Sequence, residues 1–189
     1  MTKKTTLILA SASPRRRELL RRAGIPHRVR PAEVDEKVRR GESPEACVAR
    51  LAHAKAAAVW HPGETVLGAD TLVVAGRLPL GKPRDERDAA RMLRLLAGRD
   101  HEVLTGVCVL GPDGATRAAV VRTRVWFRRL TATEIAGYVA SKEPLDKAGA
   151  YAIQGLASRF VERIDGCYFN VVGLPVSKVD ELLRGPSKQ

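Results

Sequence analysis

Ten consecutive residues, Val66-Leu-Gly-Ala-Asp-Thr-Leu-Val-Val-Ala75, constrain this chain more than any other stretch. The run is apolar and β-prone, yet it holds one carboxylate, and Asp is depleted from strands. Side chains alternate across a strand, so Asp70 shares a face with Gly68 and Leu72 while Thr71 faces the other way. An ionised acid there is costly unless it is paired or bound to a metal. Two readings follow: a functional acid, or a structural one satisfied by backbone donors at a strand end.

The surrounding sequence alternates short apolar runs with helical patterns. Residues 6–10 read as a buried strand, and 14–23 as a helix with Gly24 as its stop. An Ala-rich helix over 43–60 opens with Ser43-Pro44 as cap and first helical residue. Residues 84–97 are amphipathic and helical. Runs at 101–110 and 118–129 flank Gly111-Pro-Asp-Gly114 and predict a hairpin. Thr131-Ala-Thr-Glu134 is a capping box that opens a helix to about residue 140. After a Gly-rich stretch at 146–155, two short strands are expected around Asp165-Gly166, then a helix over 175–184. There is no repeat, low-complexity tract or separable linker, so 1–189 reads as one domain. Strands and helices alternate without strict βαβ regularity, which predicts an α/β fold with a mixed twisted central sheet flanked by helices.

Charge narrows the choice of partner. Lys plus Arg is 33 and Asp plus Glu is 21, so the net charge is 33 − 21 = +12. The partner is therefore expected to be anionic: nucleic acid, an acidic membrane surface or a phosphorylated small molecule. Aromatics at 4% argue against stacking platforms for single strands. No apolar run approaches the roughly 20 residues that cross a bilayer, so no membrane partner is expected. The run at 7–10 is cut by Ser11 and Pro14 and is too short for a signal-peptide core. Cys47, Cys108 and Cys167 are scattered, which argues against a disulfide framework or zinc ribbon and for a cytoplasmic setting. His27, His53, His61 and His101 show no H-x-x-x-H spacing and receive no role.

A second constellation is Ala10-Ser-Ala-Ser-Pro-Arg-Arg-Arg17. A strand runs into a helix whose cap is Ser13. Helix N-termini favour acids, yet this one carries Arg15, Arg16 and Arg17 in its first turn. A bound polyanion would offset the repulsion, with backbone N–H groups, the Ser11 and Ser13 hydroxyls and guanidinium forks forming a phosphate cradle. A solvated basic helix face with an ordinary Ser-Pro cap is the other reading. Glu33, Asp35 and Glu36 could help hold a divalent cation or form a solvated acidic loop. Lys55 and Lys82, taken alone, read as surface lysines. The stretch containing Asp146, Lys147, Gly149, Gln154 and Gly155 suits either a substrate-lining or a connecting loop.

Together these segments closely resemble the Maf family of nucleoside triphosphate pyrophosphatases. The matching pieces are LILASASPRRRELL at 7–20, Val34-Asp35-Glu36, GADTLVV at 68–74, Gly81-Lys82-Pro83, EPLDKAGAYAIQG at 143–155 and VVGLP at 171–175. They stand in family order across nearly the whole chain. The resemblance implies two lobes around a mixed sheet with the active site in the cleft between them. It also implies hydrolysis of a nucleoside triphosphate to the monophosphate and pyrophosphate with Mg²⁺ or Mn²⁺. On this resemblance Asp70 is the catalytic proton acceptor. Ser11, Ser13, Arg15 and Arg16 belong to the phosphate-binding motif, while Glu36, Lys55 and Lys82 line the cleft. Asp70 and Glu36 are the expected metal ligands. Arg15, Thr71 and Gln154 mark the branch acting on dTTP and UTP. One local departure is Ala152, where glycine is common in the family.

The Gln154 amide suits a uracil or thymine edge. It can donate to a ring carbonyl and accept from the imide N–H, a pairing that cytosine reverses. A rival of another class, a nucleic-acid-binding regulator without catalysis, also accommodates the charge. Asp70 argues against it, because a nucleic-acid surface gains nothing from an acid inside a strand; nucleic acid is therefore not the expected partner. A homodimer is compatible with the sequence.

Overall fold

A computed structural model describes residues 6–185. The predicted strands form at Leu7–Leu9 (β1), Val66–Ala75 (β3), Asp100–Leu110 (β5) and Thr116–Phe127 (β6). Three further strands, His27–Val29 (β2), Leu78–Leu80 (β4) and Val161–Asp165 (β7), complete one sheet in the order β2-β1-β3-β5-β6-β7, with β4 paired to β3. The sheet is mixed: β1 runs parallel to both β2 and β3, whereas β3 with β4 and β6 with β7 are antiparallel. Helices lie at Pro14–Arg22 (α1), Pro44–Val59 (α2), Glu86–Leu96 (α3), Ala132–Ala140 (α4), Tyr168–Val172 (α5) and Val176–Arg184 (α6).

The caps read from sequence are present. Ser13 and Ser43 each accept an N–H from the first turn of α1 and α2, and Asp85, not foreseen as a cap, does the same for α3. At α4 the box is reciprocal: Thr131 Oγ1 accepts from Glu134 N–H at 3.2 Å, and Glu134 Oε2 accepts from Thr131 N–H at 2.8 Å. The same Glu134 pairs with Arg128, whose hydrogen bond holds its carboxyl at about 2.

The chain divides into two compact units. The first takes the residues up to Asp70, Thr105–Val121 and those from Gly173 on; the second takes Thr71–Leu104 and Arg122–Val172. In the first, α2 lies close against β3 and β5 because two glycines allow it. A Cβ on Gly68 would fall 2.1 Å from the Ala52 carbonyl oxygen, and one on Gly106 2.2 Å from that of Val48. Ile8, Ala10, Ala52, Ala56, Val66, Cys108 and Leu110 fill the space between them. Small residues on the helix and missing side chains on the strands bring backbone to backbone, and this approach decides where Lys55 goes.

The second unit has an aromatic core. Phe127 packs edge-on against His101, Tyr151 and Phe160, and Tyr138 packs against Phe160. Such pairs add to the area they bury. His101 is fully buried, its Nε2 lies 2.8 Å from the Tyr151 hydroxyl, and burial lowers its pKa to about 4. Only one of the two strands expected around Asp165-Gly166 forms. After β7 the chain turns into the short helix α5, because buried Asn170 donates to Val103 O and Thr123 Oγ1 at 2.9 and 3.0 Å. Those partners come from distant strands, and no local pattern announces them.

Candidate active site

The first unit gathers seven of the candidate residues on α1 and the turn before it, on α2 and β3, and in the loop after β2. Counting by twos put Gly68 and Asp70 on one face of β3, and α2 covers that face at Gly68. Three residues after Ala52 comes Lys55, which is only 7% exposed despite reading as a surface residue. Its Nζ donates to Asp70 Oδ1 at 2.6 Å and lies 2.6 Å from Glu36 Oε1. The two acids differ in depth: the Asp70 side chain is 13% exposed and that of Glu36 55%. Here a buried ammonium joins a deep carboxylate to one near solvent. Burying either charge alone would cost several kcal/mol, about what the pairing offsets.

Arg16 is the second buried cation. Its Nε donates to Gly173 O at 2.9 Å, and its Nη1 donates to Ala69 O at 2.8 Å and to Ser11 Oγ at 3.2 Å. Burial lowers the pKa of this guanidinium, while the Asp70 carboxylate acts in the opposite direction. One side chain thereby ties α1 to the residue before Asp70 and to the turn at Gly173. Three stretches far apart in sequence, 11–16, 69–70 and 173, meet through it. Nothing in the sequence couples position 16 to position 173, so Gly173 was not foreseen as part of this network.

The serines have distinct duties. Ser13 Oγ caps α1 by accepting from Arg16 N–H at 3.4 Å, and Ser11 Oγ accepts from Ser13 N–H at 3.2 Å. Arg15 is partly exposed one residue before the buried Arg16. No acid stands in the first turn of α1, and the acid that follows, Glu18, pairs with Arg21 and Arg22. The helix N-terminus therefore keeps its positive end facing a basic first turn, a good setting for an anion.

Thr71, Lys82 and Gln154 belong to the second unit. Lys82 is exposed next to Gly81, whose carbonyl accepts from Gly149 N–H at 3.0 Å. Gly149 has φ 69°, and a Cβ there would meet the Val73 side chain at 2.8 Å, so only glycine fits. Gln154 is exposed within the loop that follows.

Among the described residues no group of three or more His, Cys, Asp and Glu side chains converges on one point. Two carboxylates do converge, on Lys55 Nζ. Hard oxygen donors in that number suit Mg²⁺ or Mn²⁺, which are held by one or two carboxylates and completed by water and substrate phosphate. The residues present fit such an ion.

The family profile described as Maf-like protein matches residues 6–185. The chain belongs to the Maf family. A protein of Anaeromyxobacter dehalogenans (strain 2CP-C) named dTTP/UTP pyrophosphatase is 56% identical over 181 residues, covering 94% of this Maf chain and 92% of that protein. One of the same name from Moorella thermoacetica is 56% identical over 184 residues, covering 94% and 93%. The solved structure of the Staphylococcus aureus Ham1 protein aligns with 96% of this chain and 99% of its own, with a TM-score of 0.54 at 14% identity. That likeness concerns the fold alone, and it agrees with the mixed sheet flanked by helices. The Maf segments at 7–20, 68–74 and 171–175 are the ones Arg16 joins, so in this Maf protein the motif order along the chain becomes one hydrogen-bonded network.

Proposed function

We propose that this Maf protein hydrolyses dTTP and UTP to the monophosphate and pyrophosphate. The observation that carries the reading is the Asp70–Lys55–Glu36 cluster beside a basic helix N-terminus. A carboxylate held at the end of a buried cation chain suits proton transfer from water next to bound phosphate. The relatives' names point to the same reaction and to the pyrimidine branch.

Water adds to the α-phosphorus, the bond to the bridging oxygen of the β-phosphate breaks, and pyrophosphate leaves. Lys55 engages Asp70 Oδ1, and we assign the water's proton to Oδ2. Arg15 and the Ser11 and Ser13 hydroxyls bind phosphate oxygens at the positive end of α1. Lys55 and, from the second unit, Lys82 neutralise charge that develops on the leaving pyrophosphate. Arg16 is assigned to the same phosphate motif. Asp70 and Glu36 would hold a divalent ion, which supplies further charge neutralisation and acidifies water when bound. Gln154 and Thr71 are assigned to the base.

The binding-only regulator is not favoured. Relatives matching 94% of the chain are named pyrophosphatases. Several arginines are also engaged in ion pairs within the chain, as at Arg30–Glu64, Arg50–Glu42, Arg124–Asp100 and Arg128–Glu134.

The test is incubation with common and modified nucleoside triphosphates, with and without Mg²⁺ or Mn²⁺, resolving pyrophosphate from orthophosphate. Metal-dependent pyrophosphate release, strongest with dTTP and UTP, is expected. Preference for another base would overturn the roles of Thr71 and Gln154, and folded protein without turnover would overturn the reaction.

A further inference from the structure

We infer that Tyr138 and Glu143 form a clamp that positions Gln154 and thereby sets base specificity; this rests on the reading of Gln154 given above. Gln154 stands on an irregular, exposed stretch, and an amide can distinguish uracil from cytosine only if its oxygen and nitrogen are held in place. The backbone on both sides of it is held by one hydrogen-bonded chain. Ala152 N–H donates to Tyr138 Oη at 3.1 Å, Tyr138 Oη–H donates to Glu143 Oε1 at 2.9 Å, and Leu156 N–H donates to Glu143 Oε2 at 3.2 Å. The residues two before and two after Gln154 are thus joined through two side chains.

Both side chains are themselves fixed. Tyr138 is fully buried, with its ring edge-on to Phe160 at 5.3 Å, so the core sets the position of its hydroxyl. Glu143 follows Lys142, a non-glycine residue at φ 63° that turns the chain out of α4. Its N–H donates to Ser141 Oγ at 3.3 Å. Backbone strain of this kind persists where the surroundings over-determine it. Gly155 completes the arrangement: a Cβ there would fall 2.3 and 2.4 Å from the two Glu143 carboxylate oxygens. The acid occupies the space that a side chain at 155 would take. The first residue of the segment 143–155 therefore holds its last turn.

Two variants test this on the whole chain. Glu143→Gln keeps the volume but cannot accept from both partners, and Tyr138→Phe removes the hydroxyl from the other side. Hydrogen exchange across 151–156 is read without substrate, and kcat/KM is measured for dTTP and CTP. Both variants are expected to exchange faster at Ala152 and Leu156. Each should also lower the dTTP-to-CTP ratio by about fivefold or more, within the 5- to 150-fold that one misplaced buried pairing costs. Gln154→Ala should lower the ratio to a similar extent while leaving the amide exchange of Leu156 unchanged. Wild-type exchange in Glu143→Gln overturns the clamp. Faster exchange with an unchanged ratio overturns its link to specificity. An unchanged ratio in Gln154→Ala overturns the reading of Gln154 itself, and exchange separates that failure from the others.

Discussion

The cluster around Asp70 and the loop around Gln154 are built by opposite means. Asp70, Lys55 and Arg16 are charged and carried on β3, α2 and α1, the two cations buried and the acid partly so, and each is held by other charges or by carbonyls. Gln154 is neutral and exposed on irregular backbone, and the groups that hold its surroundings are an acid, a phenol and two glycines. On the roles proposed above, the difference follows from the task. Proton transfer and phosphate neutralisation need charges that cannot relax, which regular elements supply. Base recognition needs one amide at one angle, which a turn can supply at lower desolvation cost.

The largest expected effect breaks the charged side. Asp70→Asn should lower turnover by about a thousandfold or more, on the order of 4 kcal/mol in the barrier. Pyrophosphate release and circular dichroism together check this, and substantial turnover from the folded variant would remove Asp70 from the proton-acceptor role. Next comes the approach that brings Lys55 to Asp70. Gly68→Ala places a methyl against backbone atoms of α2 and should cost about 3 kcal/mol. The fall in urea midpoint measures it, and a loss well under 1 kcal/mol would mean α2 moves aside freely.

On the neutral side, Gln154→Ala should change the dTTP-to-CTP ratio while leaving stability within about 0.5 kcal/mol of the parent. Equal losses of turnover and stability would erase the contrast between the two regions.

The smallest effect concerns pH and the core of the second unit. Burial lowers the His101 pKa from 6.5 to about 4. As pH falls through 6.5 the unfolded chain takes up a proton that the folded chain refuses. The stability contributed by neutral His101 is therefore full above about pH 6.5 and is lost toward pH 4. Between pH 7 and pH 5 this amounts to about 2 kcal/mol. His101→Gln should flatten that part of the stability curve, as urea midpoints at the two pH values would report. A slope equal to that of the parent would show that other groups set the acid limb.

Much of the frame was legible because its signals are local. Caps at Ser13, Ser43 and Thr131, the run at 66–75 and the turn at 111–114 act over a few residues, and each stands where the spacing placed it. The short strands β2 and β4 were not foreseen, since three residues of pattern cannot be told from loop. Helix α5 was misread as strand because its conformation depends on Asn170 reaching Val103 and Thr123. Lys55 looked like any surface lysine on an Ala-rich helix. It is buried because Gly68 and Ala52 bring that helix against β3.

The sequence by itself determined the α/β class, the acid placed inside a strand, the basic capped helix and, through the order of its motifs, the Maf family. Only the tertiary structure decided that Lys55 joins Asp70 to Glu36, that Arg16 ties Ala69 to Gly173, and that Glu143 sits against Gly155. Each of those contacts links positions whose separation in the chain bears no fixed relation to their distance in space. Local patterns record the conformation of a segment, whereas the pairing of segments is settled by burial and by the room that glycines leave.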